Sequence, residues 1–313
     1  MKYIFKKMVT LIITLFIVSL LAFLAFQIIP ADPTTTMLGT EATEEAKAAL
    51  RAELGLDQPI PVRYWNWLCD FIKGDFGTSY TYRMPVSEML AQKLPITGIL
   101  TLISFLFTVV LSIPLGILAG SVRNKTLDGA FTALNQVVMS IPAFFIGILV
   151  CYFFGITLRW FVPGDFVSYT ESWTACLGYM LLPALSIAIP RIAMTVKMLR
   201  GAILKEEKQD YVRTAWSRGN NHRAILVRHI LKNALIPVIT FLAVSAAEIM
   251  TNTIMIEQVF TIPGIGRLLL ASISNRDFPV VQAIVVILAT WIVLVNFIAD
   301  LLYQFADPRI RMK

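Results

Sequence analysis

Charged residues, cysteines and histidines are all scarce in this chain. Only 15% of its 313 residues are charged and 57% are apolar, a balance far from that of an ordinary soluble domain. The three cysteines, Cys69, Cys151 and Cys176, are too few and too widely spaced for a disulfide framework, although a single Cys69–Cys176 pair stays open. His222 and His229 share one polar loop without a third ligand, which disfavours a metal site.

Motifs for chemistry are also missing. No glycine is followed by lysine anywhere in the chain, so a phosphate-binding Walker loop is excluded. An intramembrane enzyme would need a nucleophile with a base, or a metal cluster, at membrane depth. No apolar run carries paired catalytic carboxylates, and both histidines lie outside these runs. We therefore expect a protein that is not an enzyme and holds no cofactor of its own.

Long apolar runs dominate what is present. A hydrocarbon core of about 30 Å takes roughly 20 apolar residues to cross as a helix. Six runs qualify: 9–29, 96–120, 134–155, 177–199, 234–256 and 282–303. Backbone groups in lipid must satisfy one another, and the alternation of a membrane barrel is absent. The sequence thus predicts an all-α integral membrane protein with six transmembrane helices.

Basic residues set the expected topology. With the N-terminus inside, 16 Lys and Arg residues fall on the cytoplasmic side and nine outside, six of them within 30–95. Positive residues favour the cytoplasmic side, so we expect both termini there. The first run resembles a secretory signal but is too long and lacks a small-residue cleavage site, which favours a retained anchor over 1–29. The net charge of +7 reflects this topology rather than a nucleic-acid surface.

The segment 30–95 is the one sizeable region outside the spans. Thr43 is a candidate N-cap for a helix that begins with Glu44 and Glu45 and stops near Gly55. A second helix is predicted over 62–72, with one apolar face and aromatic residues suited to the headgroup region. Packing of this helix on the spans and docking of a partner both remain open.

The 200–232 loop between the fourth and fifth spans is basic and forms helices. One helix is predicted over 205–218, with a left-handed stop at Gly219. Asn220 or Asn221 is expected to cap a second helix over 223–232. Tyr211 and Trp216 are unusual on an exposed helix, which indicates either contact with anionic lipid or a protein partner.

Two further groups of residues stand out. The segment 257–281 is too apolar for a solvated loop, yet its glycines and proline interrupt a helix, so we expect a turn that dips into the protein and an amphipathic helix from Arg267. Arg191 in the fourth span, and Glu248 and Asn252 one turn apart in the fifth, are costly in lipid. They either line a pathway or pair with each other or with a second subunit.

Taken in order, several motifs resemble the permeases of ABC importers, and in particular the dipeptide/oligopeptide/nickel family. They begin with Ile29-Pro-Ala-Asp-Pro33, Leu54-Gly-Leu-Asp-Gln-Pro59 and Gly74-Asp-Phe-Gly77, and continue with Asp210-Tyr-Val-Arg-Thr-Ala-Trp-Ser-Arg-Gly219 and His229-Ile-Leu-Lys-Asn-Ala-Leu-Ile-Pro237. The most specific are Glu257-Gln-Val-Phe-Thr-Ile-Pro-Gly-Ile-Gly-Arg267 and Asn275-Arg-Asp-Phe-Pro-Val-Val-Gln282, followed by Ala306-Asp-Pro-Arg309. The broader superfamily has Glu-Ala-Ala where this chain has Arg213, Thr214 and Ala215.

The resemblance implies a type I importer permease whose 200–232 loop carries a cytoplasmic coupling helix. It implies two separate ATPase subunits that bind ATP and Mg²⁺, a second homologous permease, and an extracytoplasmic substrate-binding protein. The residues assigned to ATPase docking are Tyr211, Thr214, Ala215 and Gly219. Those assigned to the external turn are Glu257, Phe260, Pro263, Gly264 and Gly266, and those assigned to the pathway are Arg191, Glu248 and Asn252.

The expected organisation is an anchor over 1–29, an external segment over 30–95, a five-span core over 96–304 and a cytoplasmic tail over 305–313. The expected function is uptake of small peptides or of a chelated metal such as nickel across the bacterial inner membrane. An ion-coupled secondary transporter is the alternative, but such proteins usually carry internal repeats, and none is visible here.

Overall fold

The computed structural model describes residues 2–28, 33–39 and 42–306, which form helices joined by turns and loops. Predictions that concern residues 29–32 and the tail 307–313 lie outside the described residues. Within the described residues, extended pairing is limited to an isolated antiparallel bridge between Thr78 and Pro85. The predicted all-α class is confirmed.

The helices follow one another without strands over the described residues. They are α1 (Lys2–Ile28), α2 (Pro33–Leu38), α3 (Glu44–Glu53), α4 (Ile60–Ile72), α5 (Val86–Ser121), α6 (Lys125–Ser140), α7 (Ala143–Val150), α8 (Trp173–Glu206), α9 (Asp210–Ser217), α10 (His222–Ile225), α11 (Leu231–Val259), α12 (Ile265–Ser274) and α13 (Phe278–Ala306). Wider π-helical turns extend α7 through Cys151–Thr157 and join α10 to α11 through Leu226–Ile230.

Five stretches of the described chain are long and apolar enough to cross a membrane. They are Phe5–Gln27, Val86–Ser121, Trp173–Glu206, His222–Val259 and Phe278–Leu301. A bent pair, Lys125–Ser140 with Ala143–Thr157, makes a sixth if it crosses as one span. These stretches contain or largely overlap the six predicted apolar runs.

The third predicted span is bent rather than straight. Its two halves meet at an angle of 95° between Ser140 and Ala143. Pro142 has no N–H to donate, and the residue before a proline is driven out of the helical region. Ile141 is accordingly extended, with φ −87° and ψ 124°. Run length and apolarity do not detect such a break.

The chain divides by its contacts into two compact units. One contains residues 1–97 and 263–294, and the other contains residues 98–262 and 295–313. In the first unit, Thr43 Oγ1 accepts a hydrogen bond from the Ala46 N–H at 3.3 Å, and Gly55 follows α3 with φ 64°. The predicted cap and stop of this helix are therefore confirmed.

Helix α4 packs on α1 through Tyr64. The Tyr64 hydroxyl lies 2.8 Å from Ser19 Oγ, and its ring centroid lies 5.4 Å from that of Phe23. On the predicted apolar face, Trp65 and Ile72 are 61% and 76% exposed. Packing on a span is thus confirmed for one side of α4, while Trp65 and Ile72 on the predicted apolar face stay exposed.

In the second unit, glycines allow helices to approach closely. A Cβ on Gly116 of α5 would lie 2.7 Å from Leu199 Cδ2 of α8, and one on Gly120 would lie 2.9 Å from Ile203 Cδ1. Close contact of this kind is how membrane helices associate when lipid offers no hydrophobic driving force between them. It places the end of α8 firmly against α5, next to the 200–232 loop.

Candidate functional site

Residues 205–218 are predicted as one helix, but the structure divides them between the end of α8 and the separate helix α9. Helix α8 ends at Glu206 and α9 begins at Asp210, because Gln209 between them is extended at φ −76° and ψ 149°. The turn places Val212 and Ala215 in an apolar cluster with residues of α8, α10 and α11, where they are 2% and 4% exposed. A straight continuation of α8 would carry both side chains away from this cluster. Their burial is the physical reason for the break.

Tyr211 connects α9 to both neighbouring spans. Its hydroxyl donates to Glu206 Oε2 at the end of α8 at 2.5 Å and accepts from Asn233 Nδ2 near the start of α11 at 3.1 Å. Burial, followed by the hydrogen bond to Glu206, raises the pKa of Tyr211, so the hydroxyl keeps its proton as a donor. Sequence reasoning selected Tyr211 but did not identify either partner.

The end of α9 depends on Gly219 and two asparagines. Gly219 has φ 79°, a value that costs side-chain-bearing residues energy, and a Cβ there would meet nothing within 4 Å. Asn220 Nδ2 donates to the Ala215 carbonyl at 3.0 Å. Asn221 Oδ1 accepts from the Ala224 N–H at 2.8 Å and caps α10. The predicted stop and cap are confirmed, although α10 begins at His222 rather than Arg223.

One face of α9 is exposed. It carries Tyr211 at 36% and Trp216 at 49% exposure, together with exposed Arg213, Thr214 and Arg218. Of the four residues that the sequence assigned to docking, Tyr211, Thr214 and Gly219 reach the surface. Ala215 lies on the opposite, buried face. Helix α9 thus has an exposed face with basic and aromatic side chains and an opposite face that is apolar and buried.

An ion pair braces the same loop. Arg123, between α5 and α6, donates to both carboxylate oxygens of Glu207 at 2.6 and 3.1 Å and lies 2.8 Å from His222 Nε2. The hydrogen bond to Glu207 raises the pKa of Arg123. Exposed pairs add little stability, but this one links three chain segments around α9. In the described part of the chain, no three His, Cys, Asp or Glu residues form a metal-binding group.

Arg191 and Glu248 meet within the spans. The Arg191 Nη1 atom of α8 donates to Glu248 Oε2 of α11. Their side chains are 19% and 50% exposed, respectively. A cavity of about 330 Å³ lies beside Arg191 and is also lined by Asn252 and by the chain break at Ile141 and Pro142. The structure thus brings Arg191 and Glu248 into direct contact, and Arg191 and Asn252 to one cavity.

Within the second unit, the turn that follows α11 is buried. Glu257, Phe260 and Ile262 are each 0% exposed. The Phe260 carbonyl accepts a hydrogen bond from the Tyr179 hydroxyl at 2.6 Å, and Thr261 has φ 59°. Phe260 and Ile262 are therefore packed inside the second unit rather than in a solvated loop.

In the first unit, α12 begins at Ile265, two residues before the predicted start. The Ile265 N–H donates to Thr97 Oγ1 at 3.0 Å. Pro263 and Gly264 line a cavity of about 500 Å³, and Gly266 is buried.

Asp277, which sequence reasoning did not select, organises the loop after α4. It is 0% exposed and accepts hydrogen bonds from Ser79 Oγ at 2.5 Å, the Tyr80 N–H at 3.0 Å and the Thr81 N–H at 3.3 Å. Burial and, to a lesser extent, the Asp277 charge raise the pKa of Tyr80 to about 12. Its position in a quoted motif, Asn275-Arg-Asp-Phe-Pro, was the only local signal.

Comparison with known families gives two adjoining matches. Residues 112–312 match the family described as "Binding-protein-dependent transport system inner membrane component". Residues 1–101 match the family described as "Binding-prot-dependent transport system membrane comp, N-term". Together they span nearly the whole chain, and the first contains the 200–232 loop, Arg191 and Glu248.

Full-length relatives are also found. The chain is 34% identical to the probable peptide ABC transporter permease protein y4tP of Sinorhizobium fredii, over 99% of both chains. It is 35% identical to a putative peptide transport system permease protein of Brucella abortus (strain 2308), over 98% of both. It is 34% identical to the glutathione transport system permease protein GsiC of Salmonella typhimurium, over 100% of both.

Proposed function

Because this chain belongs to the family of binding-protein-dependent transport system inner membrane components, we propose that it forms one half of a peptide-translocation pathway. Membership makes it a multi-pass inner-membrane permease subunit of an ABC importer and not an enzyme. ATP hydrolysis belongs to separate partner subunits, and a substrate-binding protein acts with them. The ion-coupled secondary transporter weighed from the sequence is replaced by this assignment.

ATPase docking is best supported by the exposed face of α9, because the opposite face of this helix is packed into the apolar cluster. Tyr211, Thr214 and Gly219 would contact the ATPase subunit. Ala215 is 4% exposed, so it would act indirectly, because its small side chain lets α9 pack closely in the apolar cluster. A partner that moves α9 would then move the ends of α8 and α11, because Tyr211 is bonded to both.

The proposed assembly contains two permeases and two ATPase subunits that bind ATP and Mg²⁺. Six spans enclose little space alone, so the pathway would lie between this chain and a homologous permease. Arg191, Glu248 and Asn252 are proposed to line it. Glu248 supports this placement, because its side chain is 50% exposed and a charge facing lipid at mid-membrane is costly.

The proposed orientation places both termini and the 200–232 loop in the cytoplasm. The excess of basic residues on that side supports it. The segment 30–95 and the turn containing Glu257, Phe260, Pro263, Gly264 and Gly266 would then face the substrate-binding protein. We keep the division into an anchor over 1–29, an external segment over 30–95, a core over 96–304 and a tail over 305–313 as part of this proposal.

A small peptide is the proposed substrate. The relatives named above are called peptide and glutathione transport permeases, which favours a peptide over the chelated nickel that the sequence also allowed. The test is uptake of labelled short peptides into proteoliposomes that contain the assembled transporter. Uptake should require both ATP and the binding protein. Accumulation of peptide by this chain alone would contradict the proposal.

Gly219 offers a matched test of docking. Gly219→Arg and Gly219→Ala both impose the left-handed cost of about 1–2 kcal/mol, but only arginine adds bulk outside α9. We expect the arginine variant to lose co-purification with the ATPase and to stop uptake, while the alanine variant keeps both. An arginine variant that binds the ATPase and transports normally would rule out a contact at Gly219.

A further inference from the structure

The ion pair between Arg191 and Glu248 lies near the middle of two spans. Arg191 is 18 residues from the start of α8 and 15 from its end, or about 27 and 22 Å along the helix axis. Glu248 is 17 residues from the start of α11 and 11 from its end. A neutral pair at this depth costs far less than either charge alone. Pairing therefore lowers the cost of keeping both charges within the spans.

The two partners are not equally covered. Arg191 is held among the helices with 19% of its side chain exposed, whereas Glu248 keeps 50% exposed. Arg191 also lines the cavity of about 330 Å³, whose lining does not include Glu248. A second acceptor entering this cavity can thus reach the guanidinium, which has five N–H donors and can bind more than one oxygen.

The rest of the cavity suits varied side chains. Met139, Met194 and Met255 line it, together with Phe144 and Ile187. Methionine is unbranched and polarizable, and it is common on surfaces that bind many partners. Asn252, on α11, adds an amide that can donate and accept hydrogen bonds. The cavity therefore combines one charged side chain, that of Arg191, with an apolar lining that can adapt to ligand side chains of different shapes.

We propose that a translocating peptide opens this ion pair, with its terminal carboxylate bound by Arg191 and its ammonium bound by Glu248. The last side chain of the peptide then occupies the methionine-lined cavity. Net charge in the spans stays the same, because a zwitterion supplies one charge of each sign as the internal pair separates. A peptide with a blocked terminus leaves one protein charge without a partner. This inference rests on the proposed peptide-permease function.

The test uses the assembled transporter with its binding protein in proteoliposomes. The probe is a labelled tripeptide, Ala-Ala-photoleucine, which carries a diazirine on its C-terminal side chain. After light activation during ATP-driven uptake, we expect label on the segments that contain Met139, Met194 or Met255. Arg191→Gln should lower this label roughly 10- to 100-fold, the effect of losing a hydrogen bond to a charged group.

Two variants control for charge and folding. Lys197→Gln removes a cation from the same helix at a site bonded to Gln136 and outside the cavity lining, so labelling should be unchanged. The reversed pair, Arg191→Glu with Glu248→Arg, keeps an ion pair in the spans but moves the cation to a position outside the cavity lining, so the transporter should assemble while label leaves the methionine-containing segments.

The outcomes distinguish failure of the proposed binding site from failure of the proposed peptide-permease function. Label in the cavity that Arg191→Gln removes supports the site. ATP-driven uptake with label elsewhere, or with label unaffected by Arg191→Gln, overturns the site and leaves the peptide permease intact. Unchanged cavity label in the reversed pair, with the transporter still assembled, also overturns recognition of the carboxylate by the cation at position 191. Absence of ATP-dependent uptake of the probe and of other short peptides overturns the proposed function itself.

Discussion

Replacing Tyr211 by phenylalanine should loosen α9 from the spans without altering the ring that α9 presents. The substitution removes a hydroxyl that donates to Glu206 at 2.5 Å and accepts from Asn233 at 3.1 Å. The aromatic ring, the buried Val212 and Ala215, and the Gly219 stop all remain. Docking of a partner and transmission of its motion can therefore be tested separately.

The expected magnitude follows from the two hydrogen bonds. A bond to a charged group contributes about 1.5–3 kcal/mol and a neutral one about 0.5–1.5 kcal/mol. Tyr211 is 36% exposed, so water replaces part of what is lost. We expect the local opening free energy of α9 to fall by about 1–2 kcal/mol, which corresponds to a roughly 5- to 30-fold larger population of the open state.

Hydrogen exchange of the assembled transporter measures this opening. Amides of residues 210–217 should exchange faster in Tyr211→Phe by the factor given above, because protection in a helix follows its local opening free energy. Co-purification with the ATPase should be retained. The amount of peptide taken up per ATP hydrolysed should fall, because α9 would move without carrying α8 and α11 along.

A second tyrosine provides the control. Tyr82 is 50% exposed and lies in the other unit, so Tyr82→Phe should leave exchange of residues 210–217 and the transport ratio unchanged. Unchanged exchange and an unchanged ratio in Tyr211→Phe would refute the view that its hydroxyl ties α9 to the spans. Loss of the ATPase in that variant would instead show that the hydroxyl itself is a docking contact.

Two further predictions concern packing and pH. Gly116→Ala should lower the thermal stability of the purified chain by about 1–3 kcal/mol, since its Cβ would lie 2.7 Å from Leu199; Gly98→Ala on the same helix, with nothing within 4 Å, should not, and equal melting temperatures would contradict close packing. Because the pKa of Tyr80 is raised from 10.0 to about 12, its stabilising contribution should be complete below pH 10 and lost as pH rises towards 12. Tyr80→Phe should abolish this dependence in protease protection of residues 75–85, and an unchanged profile would exclude Tyr80 as its source.

Several local features were predictable because the groups that cause them are close in sequence. Thr43 caps α3 through a residue three positions away, and Asn221 caps α10 in the same manner. Gly219 has the positive φ expected of a helix stop. The break at Pro142 is equally local, because proline restricts the residue that precedes it, but the size of the bend does not follow from that restriction.

Other features of the site could not be predicted from the sequence. Tyr211 was selected as an odd residue on an exposed helix, but its partner Asn233 is 22 residues away. The role of Asp277 was not predicted from the sequence, because its partner Ser79 is 198 residues away. A polar residue has many distant candidates for a partner, and only the packing of helices chooses among them.

The sequence by itself determined that this is a helical membrane protein, where its apolar spans lie, and how helices such as α3 and α10 begin. These properties depend on run length and on hydrogen bonds within one turn. Tertiary structure alone decided that α9 turns away from α8 to bury Ala215, and that Arg191 pairs with Glu248 rather than remaining separate. The reason is that burial and ion pairing depend on which surfaces meet, and surfaces distant in the chain meet only when the helices pack.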